Sequence, residues 1–221
     1  MLSVAINSDL KHLLPELTLG CVQAQVKVEK HSEPLWREID VYLVQLEANH
    51  KSGEIGAIPQ IAAMRSAYKA LGKDPSRYRG SAEALLRRVL SGKGLYRVNN
   101  VVDINNLVSL QSLFPAGSYD LGNVNPPVEL RIGAAGESYK GIGKEEINIE
   151  KLPVFADSKG PFGSPTSDSE RAMIRLESSN VLMVIFSFSG PRDLERWTKA
   201  ASDLLQRYAD AQQVETAIIA Q

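Results

Sequence analysis

The side chains of this 221-residue chain that can do chemistry fall in three stretches. Residues 160–171, "GPFGSPTSDSER", combine glycines with hydroxyls and one carboxylate. Gly160 and Gly163 let backbone approach a ligand closely and expose N–H groups. Ser164, Thr166, Ser167 and Ser169 add hydroxyls, and Asp168 can accept from an ammonium group. The same composition also describes a surface turn rich in Gly, Pro and Ser. Residues 99–106, "NNVVDINN", place four Asn and one Asp around Val101, Val102 and Ile104. Asn and Asp side chains bond their own backbone and favour turns and caps, whereas Val and Ile belong in a core. Asn100 is therefore read as the N-cap of a helix running to about Leu113, with Asp103 at N3 as in a capping box. Asn99, Asn105 and Asn106 are left over. Asp103 and Asn106, three apart, share a helix face and form a joint donor and acceptor surface.

The third stretch is electrostatic. Residues 65–97 hold nine basic side chains (Arg65, Lys69, Lys73, Arg77, Arg79, Arg87, Arg88, Lys93 and Arg97) against Asp74 and Glu83. The rest of the chain holds 16 basic and 24 acidic residues, for a net charge of −1 overall. Bulk charge thus argues neither for nor against nucleic acid, but a one-signed segment attracts phosphates. Tyr78, between Arg77 and Arg79, can stack a base. The competing reading is the solvated face of two amphipathic helices, since Lys and Arg are good helix formers. The sign favours RNA, because solvated faces usually mix charges. No DNA partner is expected.

Other chemistries are disfavoured. Cys21 is the single cysteine, which excludes an internal disulfide framework and a multi-cysteine zinc site and fits a reducing, cytoplasmic setting. His12, His31 and His50 lack ligand spacing, so no metal and no cofactor are expected. The first residues lack a basic start followed by an unbroken apolar run, so no signal peptide is expected. The longest apolar run, residues 181–186, is too short to span a bilayer, and no membrane partner is expected.

The elements that must position these residues follow from periodicity. Residues 3–7 read as a short strand, and residues 17–29 alternate at Ala24, Val26 and Val28 as a half-buried strand does. Ser32 reads as the N-cap of a helix with Pro34 in its first turn and Leu35, Ile39, Tyr42, Leu43 and Leu46 in one stripe. A second helix covers about residues 59–71 and ends at Gly72, and a third opens at Ser81 and stops near Gly92. Beyond residue 125, "VELRIG", "INIE", "PVFAD", "AMIRLE" and "VLMVIFSFSG" read as strands. A closing helix begins near Arg192 with Leu194, Trp197, Ala201, Leu204, Leu205 and Tyr208 on its apolar face. The final "VETAIIAQ" is expected to fray or pack loosely. The pattern predicts a single α+β domain over residues 1–221, with mixed β-sheets and flanking helices.

"LYRVNNVVDINNLVSLQSLFPAGSYDL", residues 95–121, closely resembles the B3/B4 editing domain of the bacterial phenylalanyl-tRNA synthetase beta subunit. The matches are Asn99, Asn100, Val101, Val102, Asp103, Asn106, Pro115, Tyr119, Asp120 and Leu121. The resemblance covers about residues 60–190, and residues 191–221 follow as the C-terminal helix. The length leaves no room for the synthetase's other modules, so a solo editing-type domain, and not a ligase, is implied. The resemblance implies binding of the 3′ end of an aminoacylated tRNA and hydrolysis of a wrongly attached tyrosine, a second check where binding alone separates amino acids poorly. It implies a pocket from Asn99, Asn100, Asp103, Asn106, Gly117, Tyr119, Gly160, Gly163, Ser164, Thr166 and Asp168. Arg65, Lys69, Arg77, Tyr78, Arg79, Arg87, Arg88, Lys93 and Arg97 would meet RNA. Two departures stand out. Gly117 occupies the place of a pocket histidine, and Pro165 and Thr166 occupy the region of a loop glutamate. The alternative is a binding module for RNA or an amino acid without deacylase activity.

Overall fold

The computed structural model describes residues 1–220. Among the described residues, six α-helices and ten strands form an α+β arrangement with three sheets. One four-stranded sheet runs β1 (Val4–Ile6), β4 (Val128–Ile132), β7 (Pro153–Asp157), β8 (Gly160–Gly163). It is mixed: β1 and β4 are parallel and the other pairs antiparallel. The second runs β10 (Gln212–Ile219), β2 (Thr18–Gln25), β9 (Asn180–Ser187), β3 (Ala116–Asp120), all antiparallel. A small hairpin joins β5 (Ser138–Lys140) to β6 (Glu146–Asn148).

The second sheet is buried on both faces, which explains why β9 reads as an unbroken apolar run. Leu182, Val184 and Phe186 face the first sheet, with Leu19 and Cys21 of β2 beside them and Leu130, Phe155 and Phe162 opposite. Val181, Met183 and Ile185 face the helices α2 (Glu33–Asn49), α5 (Asn100–Ser112) and α6 (Leu194–Tyr208). The period-2 alternation thus sorts one strand between two cores. Helix α6 approaches β2 closely: a Cβ on Gly20 would lie 2.3 Å from Thr198 Oγ1. A third core joins α2, α3 (Pro59–Ala70), α4 (Ser81–Leu90) and α5 through Leu46, Ile61, Leu86, Val89 and Leu110. A short helix α1 (Ser8–Leu13), capped by Asn7, follows β1.

Four local expectations change. The closing stretch does not fray: Gln212–Ile219 is edge strand β10, because Val214 and Ile218 pack on the helical core and Ile219 on the inter-sheet core. "AMIRLE" is not a strand. A single 3-10 turn, Glu170–Ala172, opens it, with the Ser169 side chain accepting from the Arg171 N–H and burial limited to Ala172 and Ile174. The first four residues of the glycine-rich stretch are strand β8, paired with β7, and only residues 164–169 are loop before the 3-10 turn. The N-cap of α5 is Asn99, not Asn100. Asn99 is extended, at φ −159° and ψ 165°, and accepts from the Val102 N–H.

Candidate functional site

At one edge of the space between the two large sheets, β3 and β8 bring together an aromatic and a carboxylate. Tyr119 on β3 is fully buried and packs edge-on against Phe155 and Phe162, with ring centres 5.7 and 5.2 Å away. Two glycines make room for its ring. A Cβ at Gly117 would lie 2.5 Å from the Tyr119 hydroxyl oxygen, and one at Gly163 would lie 2.2 Å from the ring edge. The chain's own tyrosine therefore fills the space that a side chain at 117 would need, which is why glycine stands there.

The Tyr119 hydroxyl donates to Asp168 Oδ1 at 3.0 Å, and the Ser164 N–H donates to the same oxygen at 3.1 Å. Asp168 Oδ2 has no hydrogen-bond partner among the described residues. Asp168 keeps a little water contact but sits deep among protein atoms, and burial pushes its carboxyl up to about 7. The two donors work in the opposite sense and are outweighed. Burial likewise raises the phenols of Tyr68, Tyr119 and Tyr139, so all three stay neutral.

The loop holding Asp168 is tied from every side. Ser164 Oγ donates to the Ser167 carbonyl at 2.7 Å and accepts from the Thr166 and Ser167 N–H groups. Tyr139 donates to the same carbonyl. Tyr68 on α3 pairs with Thr166 Oγ1 at 2.8 Å. The Pro165 carbonyl accepts from the N–H of Ser81, the first residue of α4. Ser81 Oγ exchanges two hydrogen bonds with Ala116 of β3. Gly117, Tyr119, Gly163, Ser164, Thr166 and Asp168 thus converge, joined by Tyr68 and Tyr139. Gly160 stands apart, at the far end of β8. Its φ of +112° suits glycine, and its carbonyl accepts from Arg171.

Asn99, Asn100 and Asp103 of the octet 99–106 lie elsewhere and are occupied. Asn100 donates to the Lys27 and Tyr208 carbonyls and accepts from the Glu29 N–H, stapling three distant segments. Asp103 accepts from Trp36 Nε1 at 2.7 Å and from the Val98 N–H at 3.0 Å. Its reach back past the cap keeps the logic of a capping box, displaced by one position. Only Asn105 points toward β3, bonding Ser118 Oγ at 3.0 Å and the Ala116 carbonyl. Asn106 is half-buried and its side chain makes no hydrogen bond among the described residues.

The basic segment is more ordered than its charge count suggests. Glu83, 2% exposed, accepts from Arg65 at 2.9 and 3.1 Å and from Arg87 Nε at 2.9 Å, with Arg79 Nε 4.0 Å away. Arg97 lies 4.1 Å over Trp36 and 3.7 Å from Asp40. Tyr78 is half-buried against the inter-sheet core with Lys73 and Arg77 near its ring, which leaves it poorly placed for a base. Lys69, Arg77, Arg79 and Lys93 are exposed. Sequence reasoning missed Tyr68, Tyr139 and Glu83. Only Glu83 carried a signal, as a lone acid among arginines on a helix.

Among the described residues no group of His, Cys, Asp and Glu is placed to hold a metal ion, and no helix is long and apolar enough to cross a membrane.

These features define an α+β domain with a buried carboxylate–tyrosine site beside a basic surface. The B3/4 domain model matches residues 63–220, and the chain belongs to the B3/4 domain family. It is 29% identical over 148 residues to the phenylalanine–tRNA ligase beta subunit of Geobacter metallireducens, covering 63% of this chain and 18% of that subunit. It also matches an N-terminal fragment of the phenylalanyl-tRNA synthetase beta subunit from Pyrococcus horikoshii, at 12% identity and a TM-score of 0.47. That match covers 99% of this chain and 50% of the fragment. The chain therefore spans under a fifth of the curated relative.

Proposed function

We propose that this chain binds the aminoacylated 3′ end of tRNA and hydrolyses a wrongly attached amino acid in trans. The observation that carries the reading is Asp168: a desolvated carboxylate with one oxygen fixed by Tyr119 and Ser164 and the other free of protein partners. An α-ammonium group is the complementary ligand. Its charge offsets the lost hydration and draws the carboxyl back to its ionised form. Once the amino group is held, hydrolysis needs a positioned water and donors for the developing oxyanion. Water adds to the ester carbonyl, the bond to the ribose oxygen breaks, that oxygen takes a proton, and the free amino acid leaves. The exposed cations Lys69, Arg77, Arg79 and Lys93 supply phosphate contacts. Family membership and the tRNA-ligase relative support the assignment. The test is a panel of tRNAs mischarged with tyrosine and other amino acids. Release of at least one, lost in Asp168→Asn, is expected, and no deacylation of any member refutes the enzymatic reading.

A second reading is favoured by one specific feature. Tyr119 fills the space beside Gly117, so the site as folded holds the chain's own aromatic ring. Binding without turnover follows if Tyr119 does not yield to a ligand. Saturable binding of a charged tRNA with no release of its amino acid separates this from the first reading.

A further inference from the structure

The connection between α4 and α5 holds a feature that the deacylation site does not use. A cavity of about 340 Å³ opens at the end of α4, lined by Arg87, Arg88, Ser91, Lys93 and Tyr96 together with Ala84 and Leu85. Three cations and no carboxylate line it. Tyr96 is 56% exposed. Its ring is held from one side: the Arg88 guanidinium lies 3.7 Å from the ring centre and donates to the Tyr96 hydroxyl at 3.0 Å. The second Nη of Arg88 donates to the Lys93 carbonyl at 3.2 Å, so loop and ring are fixed together. Arg88 Nε is buried with no partner among the described residues, so ring contact accompanies an unmet donor.

We propose that Tyr96, backed by Arg88, is a stacking platform for an unpaired base of RNA, with Arg87 and Lys93 receiving the flanking phosphates. The proposal rests on the RNA-facing reading above and assigns the base contact to Tyr96 instead of the half-buried Tyr78. The physical reason is division of labour. An aromatic face accepts any base, and nearby cations hold the backbone on either side. A guanidinium behind the ring holds the platform in place, so less freedom is lost when a base arrives.

The test is binding of a short unstructured RNA carrying 2-aminopurine, followed by anisotropy and by quenching of that base, across a salt series. In wild type the base is quenched on binding. Tyr96→Ala is expected to weaken binding roughly 5- to 150-fold, abolish quenching and leave the salt slope unchanged. Tyr96→Phe keeps ring and quenching and binds nearly as wild type. Lys93→Ala lowers the salt slope by about 0.7 while quenching persists. Urea unfolding of each variant shows that the fold is retained. The proposal is overturned if Tyr96→Ala binds and quenches as wild type, or if Tyr96→Phe loses as much as Tyr96→Ala, which marks the hydroxyl as a loop staple. It is equally overturned if inorganic polyphosphate displaces the RNA while the base was never quenched, or if wild type binds no RNA. Tyr96-dependent quenching without deacylation of any mischarged tRNA leaves the platform standing and removes the hydrolase reading. Deacylation of a mischarged tRNA with Tyr96→Ala binding and quenching as wild type does the reverse.

Discussion

Asp168 makes a quantitative prediction about stability against pH. Its carboxyl moves from an ordinary 3.8 to about 7 on folding, chiefly through burial. Below about pH 4 the folded and unfolded chains both carry the proton, and the site contributes nothing adverse. Between about pH 4 and 7 the unfolded chain releases its proton while the folded chain keeps it, so stability falls as pH rises. Above about pH 7 both are ionised and the full penalty is present. A shift of this size corresponds to about 4 kcal/mol at most, and the residual water contact reduces it to roughly 2–4 kcal/mol. Asp168→Asn keeps the shape and the Oδ1 acceptor for Tyr119 and Ser164 but cannot ionise. Urea unfolding of wild type and variant between about pH 4 and 8 isolates the site, because every other carboxyl is common to both. The variant's stability relative to wild type is expected to rise by roughly 2–4 kcal/mol across the window. A difference that stays constant within about 1 kcal/mol refutes the argument that burial outweighs the two donors.

Further outcomes follow from the geometry. Gly163→Ala is expected to cost about 1–3 kcal/mol by urea unfolding, since its Cβ would lie 2.2 Å from the buried Tyr119 ring. Combining Gly117→Ala with Tyr119→Phe should cost less than the sum of the single changes by at least about 0.5 kcal/mol, because the phenol oxygen is the nearest obstruction at 2.5 Å. Asn100→Ala leaves two carbonyls and an N–H without their partner and is expected to lose about 2–4 kcal/mol. Equilibrium binding of charged tRNA by the folded fraction of that variant should match wild type, and a loss of affinity there would restore Asn100 to the ligand site. Binding of an aminoacyl group should strengthen as pH rises toward about 7, measured by titration calorimetry, because Asp168 must ionise to hold an ammonium.

Much of the architecture was legible in local pattern. Period-3.6 stripes marked α2, α3, α4 and α6, and the apolar run of β9 marked a strand, whose burial on both faces only the structure shows. The polarity of residues 99–106 was legible too, but its purpose was not. Capping accounts for Asn99, and long-range backbone staples account for Asn100, whose partners Lys27 and Tyr208 lie 73 and 108 residues away. No local rule reveals such a partner. The edge strand β10 was missed for the same reason. Its half-buried residues have no clear alternation, and pairing with β2 decides its state.

The sequence alone determined the family-specific octet, the uneven charge and the presence of a glycine- and hydroxyl-rich stretch that contains Asp168. These are matters of residue type and spacing. The tertiary structure decided which of them meet. It moved the octet's amides away from the loop, collected Tyr68, Tyr119 and Tyr139 around the loop and Asp168, and turned Glu83 into the anchor of Arg65 and Arg87. It also showed that Gly117 and Gly163 are glycine because Tyr119 occupies the space above both. That fact lies in close packing between strands distant in sequence, where a fraction of an ångström separates a filled site from an open one.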